Sequence, residues 1–147
     1  MFYLIHTCQK NKKMKIGFTC GVFDLFHAGH ILMLEECKKN CDYLIVALNR
    51  AENLPPEKNK PIFTIDERVM LLKNCSLVDE VLTYNSEIEL EELLKKIKPF
   101  VRFLGDDYRG RKITGANFSN EIYYTNRGHG LSTSNYIKQI LAAHCKK

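Results

Sequence analysis

The sequence predicts an α/β fold in which about five parallel strands form one sheet with helices on both faces. Short apolar runs alternate along the chain with segments whose apolar residues recur at helical spacing, and there is no internal repeat. The 147 residues suit one compact domain with a real core. Apolar residues make up 45% of the chain and charged residues 27%, an ordinary globular composition that argues against disorder.

The first half of the chain contains the first two predicted strands and the first helix. Lys15–Cys20 is a short apolar run that ends before a glycine, which is typical of a buried strand. From Ala28 to Asn40, apolar residues recur at helical spacing with charged residues between them. Tyr43–Leu48 is continuously apolar, as expected of a parallel strand that is covered on both faces.

The middle of the chain predicts a loop, a helix and a third strand. Residues 49–61 are polar and contain three prolines, so they favour a loop. Thr64 and Glu67 have the spacing of a capping box, which predicts a helix that runs to about Cys75. Glu80–Tyr84 is the third predicted strand.

The last part of the chain completes the alternation. Glu87–Ile97 is an amphipathic helix, Phe100–Leu104 and Glu121–Thr125 are strands, and Ser132–Ala143 is the final helix. This order predicts a Rossmann-like open sheet, in which ligands bind beyond the carboxyl ends of the strands. We therefore expect the loops after the first, fourth and fifth strands to meet at one site.

Charge and cysteine usage set broad limits on the environment and the partners of the chain. The net charge of +5 favours anionic partners, but the basic stripe with interleaved aromatics that marks a nucleic-acid binder is absent from the sequence. The six cysteines form no C-x-x-C pair, so we expect reduced thiols in a cytoplasmic protein and predict no zinc site.

Residues 1–14 precede the predicted domain of residues 15–147. Their apolar stretch is too short to span a membrane and lacks the features of a signal peptide, and no other segment is apolar for long enough to cross a bilayer. An extra strand, an interface segment and a loose extension all remain open for this N-terminal part.

The loop after the first strand carries the most unusual residues. His27 and His30 are three positions apart at the predicted start of a helix, so both rings can lie on one side of it. Free backbone N–H groups at that helix end add to an anion site that would suit the oxygens of a phosphoryl group in transfer. Gly29, between them, leaves room for a close approach of backbone or ligand. Two histidines that only cap or pack, or that bind a metal, are the alternatives.

Two later segments have the chemistry of phosphate binding. Ser132 and Thr133 are N-cap residue types at the start of the last helix. The planar guanidinium of Arg127, just before them, has a shape suited to a phosphate group. Asp106 and Asp107 follow the fourth strand, where one of them could hold Mg²⁺ or bind a substrate hydroxyl. A plain helix cap, a surface arginine and a turn of small polar residues explain these segments equally well.

The loop from Gly21 to His30 resembles the H-x-G-H signature of the cytidylyltransferase-like nucleotidyltransferase superfamily, and the chain is most similar to its glycerol-3-phosphate cytidylyltransferase branch. The resemblance covers about residues 15–140 and continues in the same order through further elements. These are Lys58 in the loop after the second strand, Ile62–Arg68, Leu77–Val81, Gly105–Tyr108 and Arg127–Thr133.

The resemblance implies that CTP reacts with a phosphomonoester, with glycerol 3-phosphate favoured, to give a CDP-linked product and pyrophosphate. It also implies Mg²⁺ as cofactor and a homodimer. The catalytic residues would be His27, His30, Lys58 and Arg127. The nucleotide-binding residues would be Cys20, Gly21, Val22, Phe23, Gly29, Lys60, Arg68, His129, Ser132 and Thr133. Asp24 and Asp106 would bind substrate or metal, although we expect Asp24 to hold the loop rather than to act as a base.

Two departures from the family pattern keep other functions open. Ala28 replaces an aromatic residue that lies between the histidines in the glycerol-phosphate branch, and alanine there is familiar in heptose-phosphate adenylyltransferases. Gly128 and His129 stand where threonine and another polar residue are usual. The alternatives are an ATP-dependent adenylyltransferase that acts on a sugar phosphate or flavin mononucleotide, and a non-catalytic nucleotide-binding regulatory module.

Overall fold

A computed structural model describes residues 13–52 and 59–145. The strands are β1 (Ile16–Gly21), β2 (Tyr43–Asn49), β3 (Glu80–Tyr84), β4 (Val101–Gly105) and β5 (Glu121–Thr125). The helices are α1 (Ala28–Lys39), α2 (Ile65–Lys73), α3 (Glu87–Ile97) and α4 (Thr133–His144). Every predicted strand and helix is present, and most ends lie within one or two residues of the prediction.

The five strands form one parallel sheet in the order β3-β2-β1-β4-β5. In chain order, β2 and β3 are added on one side of the central strand β1, and β4 and β5 are then added on its other side. Strand order therefore reverses between β1 and β4, and the carboxyl ends of these two strands border a crevice. The predicted α/β fold is confirmed.

Helices cover both faces of the sheet. On one face, Leu34 and Cys37 of α1 and Leu72 of α2 are fully buried in a cluster with apolar residues of the strands. On the other face, Leu90 and Leu94 of α3 pack in a second cluster. Burial of each of these leucine side chains contributes about 1.5–3 kcal/mol, so these two layers stabilise the sheet that positions the crevice.

Local capping explains where the helices begin. Thr64 accepts a hydrogen bond from the backbone N–H of Glu67, whose carboxylate accepts from the backbone N–H of Thr64, so the predicted capping box is confirmed. Ser132 is the N-cap of α4. The helix therefore starts one residue later than its predicted bound.

Two further expectations concern cysteines and membranes. Each cysteine in the described part of the chain is a free thiol, as expected from the spacing. Within residues 13–52 and 59–145, no helix is both long and apolar enough to cross a bilayer. Most of the predicted N-terminal extension, residues 1–12, lies outside the described residues.

Candidate active site

A cavity of about 990 Å³ opens at the carboxyl ends of the strands. Residues that follow β1, β4 and β5 line it, so the three predicted loops do meet at one site. The cavity extends over the edge of the sheet. His27 and His30 line it on the face that carries α1, whereas Cys20, Tyr84 and Arg102 line it on the face that carries α3.

The two histidines of the loop after β1 cap α1 together. The Nδ1 atom of His27 accepts a hydrogen bond from the backbone N–H of Gly29 at 3.0 Å. The backbone N–H of His27 donates to Nδ1 of His30 at 3.2 Å. Because each Nδ1 is an acceptor, the proton of each neutral ring must be on Nε2. Capping thus leaves two Nε2–H donors on rings that line the cavity.

A chain of hydrogen bonds joins His27 to α4. Its Nε2 atom lies 3.4 Å from the hydroxyl of Thr133, and that hydroxyl donates to the backbone carbonyl of Asp24 at 3.0 Å. The hydroxyl of Thr133 therefore accepts from His27, which agrees with the Nε2–H form of the ring. The starts of α1 and α4 are fixed against each other at the cavity wall.

Burial favours the neutral form of both rings. Burial, followed by the nearby His27 and Arg127, lowers the pKa of His30 from 6.5 to about 3. Burial also lowers the pKa of His27, with further contributions from His129 and Arg127. The ring of His30 stacks on Phe26 with 5.6 Å between ring centroids. The pair therefore offers neutral N–H donors whose positions are fixed by packing.

The site has no room for a side chain at Gly29, the residue between the histidines. A Cβ atom at Gly29 would lie 2.9 Å from Cε1 of His27 and 2.9 Å from Cβ of Leu131. Contacts this short would force the ring of His27 or the segment that carries Leu131 to move. The sequence predicted that backbone or ligand comes close at this position; the atoms that do so in the structure are side-chain atoms of His27 and Leu131. A nucleotide contact at Gly29 stays a prediction.

Asp24 holds the loop after β1. Its two carboxylate oxygens accept from the backbone N–H groups of Ile62 and Phe63 at 2.8 and 2.9 Å. The residues on either side, Phe23 and Leu25, have positive φ angles of 52° and 46°. Such non-glycine residues cost about 1–3 kcal/mol each, so the fixed carboxylate offsets backbone strain in the loop. This contact supports the expected loop-holding role of Asp24.

Arg68 lies beneath the same loop. It is 2% exposed, and within the described residues its guanidinium donates to four carbonyl oxygens: those of Val22 at 2.9 Å, Asn49 at 2.7 Å, Arg50 at 3.0 Å and Phe63 at 3.2 Å. We expected Arg68 to contact the nucleotide. In the structure its donors join the loop after β1 to the loop after β2, so it supports residues that line the cavity. A direct contact with the nucleotide stays a prediction.

Arg127 is held over the cavity by the two aspartates that follow β4. Its backbone N–H donates to Asp106 at 3.3 Å, and its guanidinium contacts the carboxylate of Asp107 at 3.2 Å. The side chains of Arg127 and Asp107 are about half exposed, with values of 50% and 44%. A ligand phosphate can therefore reach the guanidinium.

Most of the remaining predicted residues line the cavity. The hydroxyl of Ser132 accepts from the backbone N–H of Asn135 at 3.2 Å and caps α4 at the cavity. His129 and Lys60 are exposed residues of the cavity lining. Gly21, Val22 and Phe23 also line it. Lys58 lies outside the described residues, and its catalytic role stays a prediction.

The cavity lining includes further residues that the sequence did not single out, among them Arg102, Glu87 and Thr114. Arg102 lies on β4, Glu87 starts α3, and Thr114 follows β4 in the chain. Thr114 donates through its hydroxyl to the carboxylate of Glu87. A signal for Arg102 was present in the sequence, since it interrupts the otherwise apolar run Val101–Leu104.

The chain is similar to a known family over most of its length. The family model described as cytidylyltransferase-like matches residues 18–139. The chain is 37% identical over 132 residues to the bifunctional protein HldE of Aliarcobacter butzleri, a match that covers 88% of this chain. The match covers only 28% of that relative, so the chain spans less than a third of the relative's length.

Solved structures share the fold. The lipopolysaccharide core biosynthesis protein from Thermoplasma volcanium is 30% identical with a TM-score of 0.59, over 68% of this chain and 80% of that one. The nicotinic acid mononucleotide adenylyltransferase from Plasmodium falciparum has a TM-score of 0.56 over 85% of this chain and 83% of that one. Its sequence identity is 17%, so this second likeness shows the fold alone.

Proposed function

The chain belongs to the cytidylyltransferase-like family of nucleotidyltransferases, and we propose that it transfers AMP from ATP to the phosphate group of a sugar phosphate. The observation that carries the proposed reaction type is the capped histidine pair. It presents two neutral Nε2–H donors at a helix start, next to Arg127 and the start of α4. Such donors stabilise charge that develops on phosphoryl oxygens.

The choice of ATP and a sugar rests on two observations. Ala28 stands between the histidines, as in the heptose-phosphate adenylyltransferases that the loop resembles. The relative from Thermoplasma volcanium, 30% identical, is named for lipopolysaccharide core biosynthesis, and lipopolysaccharide is built from sugars. CTP with glycerol 3-phosphate is the second candidate, because Ile62–Arg68 and Gly105–Tyr108 resemble the glycerol-phosphate branch.

The proposed chemistry needs no nucleophile from the protein. An oxygen of the acceptor phosphate attacks the α-phosphorus of the nucleotide, a new P–O bond forms, and the bond to the β-phosphate oxygen breaks to release pyrophosphate. Positioning and charge stabilisation then supply most of the catalysis. His30 would donate from Nε2 to the oxygens around the α-phosphorus, and His27 would do the same by exchanging its long contact with the hydroxyl of Thr133, at 3.4 Å, for a phosphate oxygen.

A second group of residues would hold the leaving pyrophosphate. Arg127 is half exposed and fixed in place by its contact with Asp107. The start of α4 behind Ser132 supplies backbone N–H groups, which favour phosphate oxygens. Lys60 lines the same cavity and adds a positive charge. Lys58, which the family resemblance implies as a catalytic residue, is part of the proposal through that resemblance.

The described residues do not form a metal site of their own. No group of three or more His, Cys, Asp or Glu side chains in residues 13–52 and 59–145 is arranged to hold a metal ion. The carboxylate of Asp24 already accepts two backbone N–H groups, and Asp106 and Asp107 contact Arg127. We propose that Mg²⁺ enters bound to the nucleotide triphosphate, as part of the substrate.

Pyrophosphate release tests this function. ATP and CTP are each crossed with a panel of phosphomonoesters that contains sugar phosphates and glycerol 3-phosphate. Release that requires both ATP and a sugar phosphate supports the proposal, and release only with CTP and glycerol 3-phosphate favours the second candidate. No release with any pair, in a protein that binds nucleotide, contradicts both and favours a regulatory module.

The family resemblance also carries the proposal of a homodimer. Light scattering on the purified protein tests it directly. A mass of twice 17.1 kDa supports the homodimer, whereas a mass of 17.1 kDa contradicts it.

A further inference from the structure

A buried arginine lies on the side of the cavity away from the histidine pair. Arg102 is on β4, beside the central strand β1, and it is 3% exposed. Its side chain points to the sheet face that carries α3, where it meets Cys20 and the loop around Thr114. The proposed mechanism leaves this charge unused.

The guanidinium of Arg102 is only partly satisfied. Its Nη1 atom donates to the backbone carbonyl of Thr114. Its Nη2 atom has only the sulfur of Cys20 at 3.9 Å, and its Nε–H is buried without a hydrogen-bond partner among the described residues. None of the ion pairs in that part of the chain includes Arg102.

The two poorly satisfied nitrogens are the two that matter for anion binding. Nε and Nη2 form the side edge of the guanidinium fork, which binds two oxygens of a phosphate or carboxylate at once. A buried cation without an anionic partner is costly, and a buried N–H without an acceptor costs about 1–3 kcal/mol. Ligand oxygens at this edge would remove both costs.

Arg102 and the histidine pair line different parts of the cavity, so each can bind a different anionic group. His27, His30 and Arg127 lie with α1 and α4, where the nucleotide phosphates are proposed to bind. Arg102 lines the same cavity from the opposite face of the sheet, together with Glu87. A molecule that reaches across the sheet edge from this face would bring its phosphate toward the α-phosphorus.

We propose that Arg102 binds the phosphate group of the acceptor through its Nε and Nη2 edge and is a specificity determinant for phosphorylated acceptors. This inference rests on the proposed nucleotidyl transfer, because it assigns the second substrate of that reaction. The phosphate oxygens replace the weak contact with Cys20, while Nη1 keeps the loop at Thr114 in place. Arg102 thereby positions the attacking group.

Steady-state kinetics separate this role from a structural one. Arg102→Met removes the fork and keeps an unbranched side chain, Arg102→Lys keeps the charge without the fork, and Lys96→Met on the exposed side of α3 is the control. Loss of two charge-assisted hydrogen bonds in Arg102→Met should raise KM for the acceptor about 100-fold or more, with KM for ATP within about twofold of wild type. Unchanged KM for the acceptor, or an equal rise for both substrates, overturns the proposal.

Nuclear magnetic resonance provides a measurement that does not depend on turnover, and its only variant, Arg102→Lys, keeps the positive charge at the buried position. The nucleotide site of the ¹⁵N-labelled wild-type protein is saturated with a non-hydrolysable ATP analogue, and inorganic phosphate is then titrated. The Nε–H signal of Arg102, identified by its loss in Arg102→Lys, should shift saturably. A signal that does not move overturns the proposal. Failure of pyrophosphate release in the wild type counts against the proposed function, and this titration still decides the role of Arg102.

Discussion

Nε2 of His27 lies 3.4 Å from the hydroxyl of Thr133, a residue 106 positions later in the chain. The first residue of the contact caps α1 and the second begins α4, so the cavity wall forms only after the last helix has packed onto the first loop. The hydroxyl also donates to the carbonyl of Asp24. One hydroxyl therefore fixes both the orientation of an imidazole and the loop that carries it.

Loss of either ring should reduce turnover strongly. For His27→Ala and for His30→Ala, we expect kcat to fall about 10²- to 10³-fold, since each change removes one preorganised donor. Each change also removes part of the helix cap, which should cost about 1 kcal/mol of stability and leave the protein folded. The control is His144→Ala at the exposed end of α4. Wild-type kcat in either variant would rule out the proposed donor role.

The stability of the protein should depend on the titration of His30. Its pKa in the folded state is about 3, against 6.5 ordinarily, so between these values the unfolded chain binds a proton that the folded protein does not. The free energy of unfolding should therefore fall as pH drops from about 6.5 toward 3, by up to about 1.4 kcal/mol per pH unit from this group. Above pH 6.5 its contribution should be constant.

Urea denaturation at several pH values, in the wild type and in His30→Asn, measures this dependence. The difference between the two proteins isolates the histidine from the carboxylates that titrate in the same range. A difference in unfolding free energy that shrinks toward acid pH agrees with a neutral, buried ring. A difference that does not change with pH would contradict the lowered pKa.

Arg68 should act as a structural support. Arg68→Met leaves the carbonyl oxygens of Val22, Asn49 and Arg50 without their donor, and hydrogen bonds to a charged group contribute about 1.5–3 kcal/mol each. We expect a loss of at least about 3 kcal/mol in the free energy of unfolding, measured by chemical denaturation. Lys73→Met on the same helix should change it by less than about 0.5 kcal/mol. An unchanged midpoint for Arg68→Met would contradict this assignment.

The sequence was sufficient to predict the order of the elements because apolar runs and helical spacing are local signals. It also placed His27 and His30 at a helix start and Ser132 as a cap. It could not reveal that both Nδ1 atoms are used in capping, since that depends on the backbone angles of the loop. The contacts of Arg68 with two separate loops depend on tertiary packing, and no local pattern indicates them.

Removal of divalent metal should affect the reaction and leave the fold unchanged. The described residues contain no cluster that could hold a structural metal ion. We therefore expect EDTA to leave Tm within about 1 °C, because one kcal/mol corresponds to several degrees in a domain of this size. EDTA should abolish pyrophosphate release, and excess Mg²⁺ should restore it. A large fall in Tm would indicate a metal held by the protein.

The most direct test of nucleotidyl transfer is ³¹P nuclear magnetic resonance of the reaction products. ATP, Mg²⁺ and the acceptor that releases pyrophosphate are incubated with the wild type and, in parallel, with His27→Ala. We predict two coupled signals of a new diphosphate, one phosphorus from each substrate, together with pyrophosphate, in the wild type and only about a hundredth as fast in the variant. Release of inorganic phosphate without a coupled diphosphate signal would contradict transfer to the acceptor phosphate.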